Sequence, residues 1–140
     1  MKLENVLRID APVDVVWSLT EDVERWPGIT PTMTTVERLD DGPLAVGSRA
    51  RVKQPGQRAR VWTVTRFEPR RSFAWSTKAM GMTMEGAHLL ADEGGACVNR
   101  LELEVTGATA GIVGRLLRRP LLNAITTENK GFRAAAEARS

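Results

Sequence analysis

The chain has 140 residues, 42% of them hydrophobic and 26% charged, with a net charge of +3. A chain of this length suits one domain and buries roughly two-thirds of its unfolded surface, so it needs no staples to hold a core. No apolar run approaches the ~20 residues that cross a bilayer, and a single cysteine, Cys97, forms no internal disulfide and fits a reducing, cytoplasmic setting.

Residues 2–10 alternate, with Leu3, Leu7 and Ile9 on one side and Glu4, Arg8 and Asp10 on the other. This predicts a half-buried strand and lacks the apolar block of a signal peptide. Asp10-Ala11-Pro12 then reads as a helix start, with Asp10 available as a cap and Pro12 tolerated in the first turn. Val13, Val16, Trp17 and Thr20 follow at helical spacing; Asp22 begins a second short helix that Trp26-Pro27-Gly28 ends. Six segments rich in Val, Thr, Trp and Phe come next, at 32–40, 48–54, 60–68, 72–79, 82–91 and 96–106. Turn signals at Asp41-Gly42-Pro43, Pro55-Gly56, Pro69, Gly81 and Gly94-Gly95 separate them. Such short turns make a meander of antiparallel strands.

After Gly107 the period becomes helical. Ile112, Val113, Leu116, Leu117, Leu121, Ala124, Ile125, Glu128 and Phe132 form a broad stripe, and Pro120 within it is expected to kink or interrupt the helix. A sheet with one apolar face needs a cover, and the long helix is the only element large enough. The fold class is therefore α+β: a seven-stranded curved antiparallel sheet wrapped around a C-terminal helix, one domain over residues 1–140.

Hairpin geometry gives the sheet an inner face. A turn centred on Glu93-Gly94 places Leu90 opposite Cys97, His88 opposite Asn99, Gly86 opposite Leu101, Met84 opposite Leu103 and Met82 opposite Val105. Glu85, Arg100, Glu102 and Glu104 fall on the other, wet face. A turn at Met80-Gly81 pairs Phe73 with His88, Trp75 with Gly86 and Thr77 with Met84, so these too point inward, with the Trp75 ring covering the strand glycine. For residues 60–68 two orientations are open: either Trp62 and Val64 face inward, or Val61, Thr63, Thr65 and Phe67 do.

This order of elements, together with Ile9-Asp10-Ala11-Pro12, Val16-Trp17, Asp22, Trp26-Pro27, Pro31, Val46-Gly47, the stretch Val64–Arg71, Gly94-Gly95 and Glu128-Asn129-Lys130-Gly131-Phe132, resembles the START-like (SRPBCC, helix-grip) superfamily and within it the polyketide cyclase/dehydrase-like group. The resemblance covers nearly the whole chain. It implies a helix-grip domain that binds an apolar molecule such as a lipid or polyketide, or acts on one as an aromatase/cyclase or dehydratase. Fold alone does not choose among these.

The residues point the same way. The inner wall is apolar with a few polar groups, the usual form of a small-molecule site. Expected ligand contacts are Trp26, Trp62, Phe73, Trp75 and Thr77, then Met82, Met84, Leu101 and Leu103, with Leu116 and Asn123 from the helix. Met80, Met82 and Met84 read either as an adaptable rim or as core. His88, the only histidine, is either a general acid/base oriented by Asn99 or a core histidine satisfied by it; Glu128 is the best candidate carboxylate, and Thr127 a further polar contact. A Cys97–His88 nucleophile pair is disfavoured, because an apolar row raises the thiol pKa.

No metal or cofactor is expected, and tyrosine is absent. Nucleic acid is not expected as a partner: Arg49, Arg51 and Lys53, Arg58 and Arg60, and Arg115, Arg118 and Arg119 are scattered among 17 acidic residues. The expected partner is one hydrophobic small molecule, bound by a monomer or homodimer. The alternative is an inactive interaction or regulatory module acting through the outer basic face, which a cavity filled by collapsed side chains would favour.

Overall fold

The computed structural model describes residues 1–140. The strands are β1 (Lys2–Ile9), β2 (Thr35–Arg38), β3 (Arg49–Lys53), β4 (Arg60–Glu68), β5 (Ser72–Ala79), β6 (Met82–Asp92) and β7 (Cys97–Thr106). Helix α1 (Val13–Glu21) and a 3₁₀ helix (Val23–Gly28) separate β1 from β2, and α2 (Ala110–Arg139) closes the chain. All neighbours are antiparallel, in the order β1-β7-β6-β5-β4-β3-β2. The first strand thus returns beside the last, and α2 lies against β1 and β7. The predicted helix-grip architecture is present.

Several local expectations change. The strands expected at 32–40 and 48–54 are shorter, at four and five residues. Asp10 does not cap α1: Pro12 occupies that position without a side-chain bond, and the Asp10 carboxylate pairs with Arg8 instead. The β6–β7 register is displaced by two, because the turn is a four-residue loop, Glu93–Ala96, closed by the Glu93 amide donating to the Ala96 carbonyl at 2.8 Å. His88 therefore faces Leu101, not Asn99; Gly86 faces Leu103, Met84 faces Val105 and Leu90 faces Asn99. A displacement of two residues preserves every inward and outward assignment, since side chains alternate with period two.

The β5–β6 pairs are those expected, and a Cβ added to Gly86 would meet the Trp75 ring at 3.7 Å. Both orientations considered for β4 occur in turn. Trp62 and Val64 point inward, the register breaks between Val64 and Arg66, and beyond that bulge Phe67 points inward and packs on Trp17 at 5.4 Å. One extra residue reverses which parity faces the core.

Pro120 does not interrupt α2, which runs unbroken for 30 residues. The missing N–H would have paired with the carbonyl of Leu116, and both residues are exposed, so that carbonyl is not left orphaned in the core. Toward its other end α2 is held closely. Asn129 donates from Nδ2 to the Asn5 carbonyl (3.1 Å), Asn5 Oδ1 (2.9 Å) and the Asn99 carbonyl (3.1 Å), and accepts from Asn99 Nδ2 at 2.9 Å. Gly131 lets the helix touch the chain after the 3₁₀ helix: a Cβ there would stand 2.3 Å from the Ile29 carbonyl oxygen.

Candidate functional site

The aromatic residues set the inner end of the site. Trp26 is fully buried, anchored by its indole N–H to the Leu19 carbonyl at 3.0 Å. Phe73, Trp75 and Phe132 meet it edge-on with centroids 5.0–5.7 Å away, and His88 lies tilted against it at 4.9 Å. Such packing is directional and dense. It fills one end of the space between sheet and helix.

Beyond it the space is open. A cavity of about 580 Å³ extends between the sheet and the first half of α2, within the range of small-molecule sites. Trp62, Trp75, Met82, Met84, Leu101 and Leu103 line it from the strands, with Met33 and Val52 beside them. The helix contributes Leu117, Pro120, Leu121, Ala124, Ile125 and Glu128. Met80 stands at the edge, 59% exposed, while Met82 is buried.

Seven expected ligand or polar-contact residues lie elsewhere. Trp26 and Phe73 form the packed layer behind the wall. Thr77 is buried with its hydroxyl donating to the Val61 carbonyl at 2.8 Å, a bond made within the sheet. Asn99 belongs to the Asn129 staple, so it does not orient His88. Leu116 is 75% exposed and Asn123 is exposed, as is Thr127. Within the predicted helix stripe Ile112 and Leu116 turn to solvent, next to the row of Leu117, Leu121 and Ala124 that faces the cavity.

At the boundary between packed end and cavity, His88 Nε2 lies 3.3 Å from Glu128 Oε1, with both side chains largely shielded from solvent. His88 Nδ1 is buried without a partner, which favours the tautomer with a lone pair there and the proton on Nε2. No third His, Cys, Asp or Glu joins them as a metal-ligand cluster. The opposite wall is polar in a different way. The β3–β4 hairpin brings Gln54, Gln57, Arg58 and Arg60 to the cavity, and the indole N–H of Trp62 and Nε of Arg60 are buried without partners. A signal for Arg60 existed, since it shares the parity of Trp62 on β4.

The thiol of Cys97 is fully buried, and desolvation pushes its pKa up to about 11, which suits core packing and not nucleophilic attack. On the outer face Arg49 pairs with Asp40 at 3.2 Å and Arg51 with Glu37 at 2.8 Å, so that basic stripe is largely neutralised. Asp40, accepting from the Arg49 amide and guanidinium, is held below the ordinary carboxylate range.

Comparison with known proteins agrees with this architecture. The sequence profile of the polyketide cyclase/dehydrase and lipid transport family matches residues 1–137. A Streptomyces cyaneus protein provisionally named a polyketide cyclase is 37% identical over 60 residues, covering 43% of this chain and 39% of that protein. The match thus spans less than half of that relative's length. A START superfamily protein from Mycobacterium smegmatis has a TM-score of 0.81 at 13% identity, covering 99% of each chain. The Zhui aromatase/cyclase of a Streptomyces species has a TM-score of 0.72 at 21% identity, covering 99% of this chain and 92% of that one. At such identities the structural likeness shows the fold alone.

Proposed function

We propose that this chain, which belongs to the polyketide cyclase/dehydrase and lipid transport family, binds a single hydrophobic or aromatic small molecule between its sheet and α2. The observation that carries this reading is the cavity of about 580 Å³, walled by Trp, Met and Leu side chains instead of being filled by them. Apolar walls supply affinity, and a few placed polar groups supply orientation. The unpartnered Trp62 indole N–H and Arg60 Nε favour a ligand with an oxygen acceptor at that wall. A polyketide or an oxygenated lipid has such chemistry.

Native mass spectrometry and thermal shift against a panel of long-chain fatty acids and fused-ring aromatic carboxylates test this reading. One ligand per chain with a raised melting temperature is expected, and Leu121→Trp, which intrudes into the cavity, weakens it. No ligand from the whole panel rejects it.

The His88–Glu128 pair favours a second step on the bound molecule. Nε2 and the facing carboxylate together present one donor and one acceptor side by side. Loss of water from a ring-closed β-hydroxy ketone uses both: the Glu128 carboxylate takes the proton from a carbon flanked by carbonyls while the His88 Nε2–H hydrogen-bonds the enolising carbonyl oxygen. The Glu128 carboxyl then returns that proton to the departing hydroxyl, which leaves as water as the C=C bond forms. The cavity would contribute by holding a flexible chain in one reactive conformation. Turnover of a poly-β-ketone thioester is expected to fall about a hundredfold in His88→Ala and in Glu128→Gln; unchanged turnover in either removes that residue from the chemistry.

A further inference from the structure

We infer that the exposed face of the first half of α2 docks the protein on an anionic lipid membrane, with the cavity lip turned to the bilayer. The purpose of this docking rests on the cavity-binding reading above; its geometry does not. Ile112 and Leu116, one turn apart, are each 75% exposed, a paired aliphatic patch beside the row that lines the cavity. Arg115, Arg118 and Arg119 surround them, are all exposed, and enter none of the ion pairs of the fold.

The local charge is one-sided. From Val105 to Thr127 the sequence has three arginines and no acidic residue, whereas the arginines on β3 are matched by Asp40 and Glu37. A helix face with exposed aliphatic residues flanked by guanidinium groups suits the interface of an anionic bilayer: the aliphatic groups enter the acyl boundary and the arginines meet the phosphates.

What favours a membrane over an acidic protein is continuity. Leu117 and Pro120, adjacent in sequence to the exposed row, already line the cavity, and Met80 across the lip is both exposed and a lining residue. An apolar molecule leaving a bilayer at this face meets apolar side chains all the way inward. An acidic protein would use the arginines but has no need of that path.

Sedimentation of the full chain with vesicles tests the face directly. Binding is expected to mixed phosphatidylcholine and phosphatidylglycerol vesicles and not to phosphatidylcholine alone. Each arginine contributes about fivefold near an anionic surface, so Arg118→Glu/Arg119→Glu should weaken binding at least about 25-fold. Ile112→Ser/Leu116→Ser should weaken it about a hundredfold. Melting temperatures should hold in both, since all four side chains are exposed, and Arg139→Glu at the far end of the same helix should bind as the parent does.

Binding to neither vesicle, or binding that both double variants retain, overturns the inference. Loss in the arginine variant alone also overturns it, because no side chain then enters the bilayer, as does capture of a purified acidic protein through the same arginines with vesicles unbound. Vesicle binding by a chain that takes up no ligand from solution leaves the docking face standing and removes the cavity reading instead; ligand uptake without vesicle binding does the reverse.

Discussion

The two halves of α2 do opposite work on one continuous helix. From Asn129 to Ala136 it is welded to the sheet: Asn129, Phe132 and Ala136 are fully buried and Gly131 brings the backbone against Ile29. From Ala110 to Ala124 it is a roof, with Ile112 and Leu116 in solvent and Leu117 and Leu121 over a cavity. Close packing is what makes a core rigid and intolerant of change. A small-molecule site needs the contrary, and here it lies beside the packed end, so the same helix supplies an anchor and a cover. Glu128 sits at the join, which places it over His88 with its backbone held by the anchored half.

Substitutions that separate the two halves follow from this contrast. The largest effect is expected for Phe132→Ala, which leaves a hole in the Trp26 cluster and should cost about 3–5 kcal/mol in denaturant unfolding. Leu117→Ala, on the roof of the same helix, should cost at most about 1 kcal/mol. Equal costs would dissolve the distinction between anchor and roof.

Asn129→Ala comes next. It strands Asn99 Nδ2 and the acceptors from Asn5 and Asn99 in a buried place, so a loss of about 2–3 kcal/mol is expected. Hydrogen exchange should then show α2 opening from β1 before the strands open.

The smallest effect concerns Cys97, in the packed half. Its folded pKa of about 11 lies above the ordinary value of 9.0, so the folded state holds its proton more tightly than the unfolded state does. Stability from this group is therefore complete below pH 9.0 and declines as pH rises from there to about 11. Cys97→Ala should flatten that decline, and the native thiol should resist alkylation until the chain unfolds.

Much of this was legible in the residues. Alternation and turn chemistry determined strand existence, the β5–β6 register and which residues of β6 and β7 face inward, because each depends on contacts made within a hairpin. Even the register of the β6–β7 hairpin, misplaced by two, left the inner face intact, since parity survives an even shift. What the sequence alone could not decide were quantities set across the fold. The bulge after Val64 depends on how β4 meets β5. Whether Trp26 and Phe73 touch a ligand or each other depends on which helices close over them. The rotation of α2 about its own axis, which sends Leu116 out and Leu117 in, depends on the bonds of Asn129 to Asn5 and on the contact of Gly131 with Ile29, each between residues more than a hundred apart in the chain. Local patterns specify the elements and their faces; only the assembled fold decides which of those faces close on one another and which enclose a cavity.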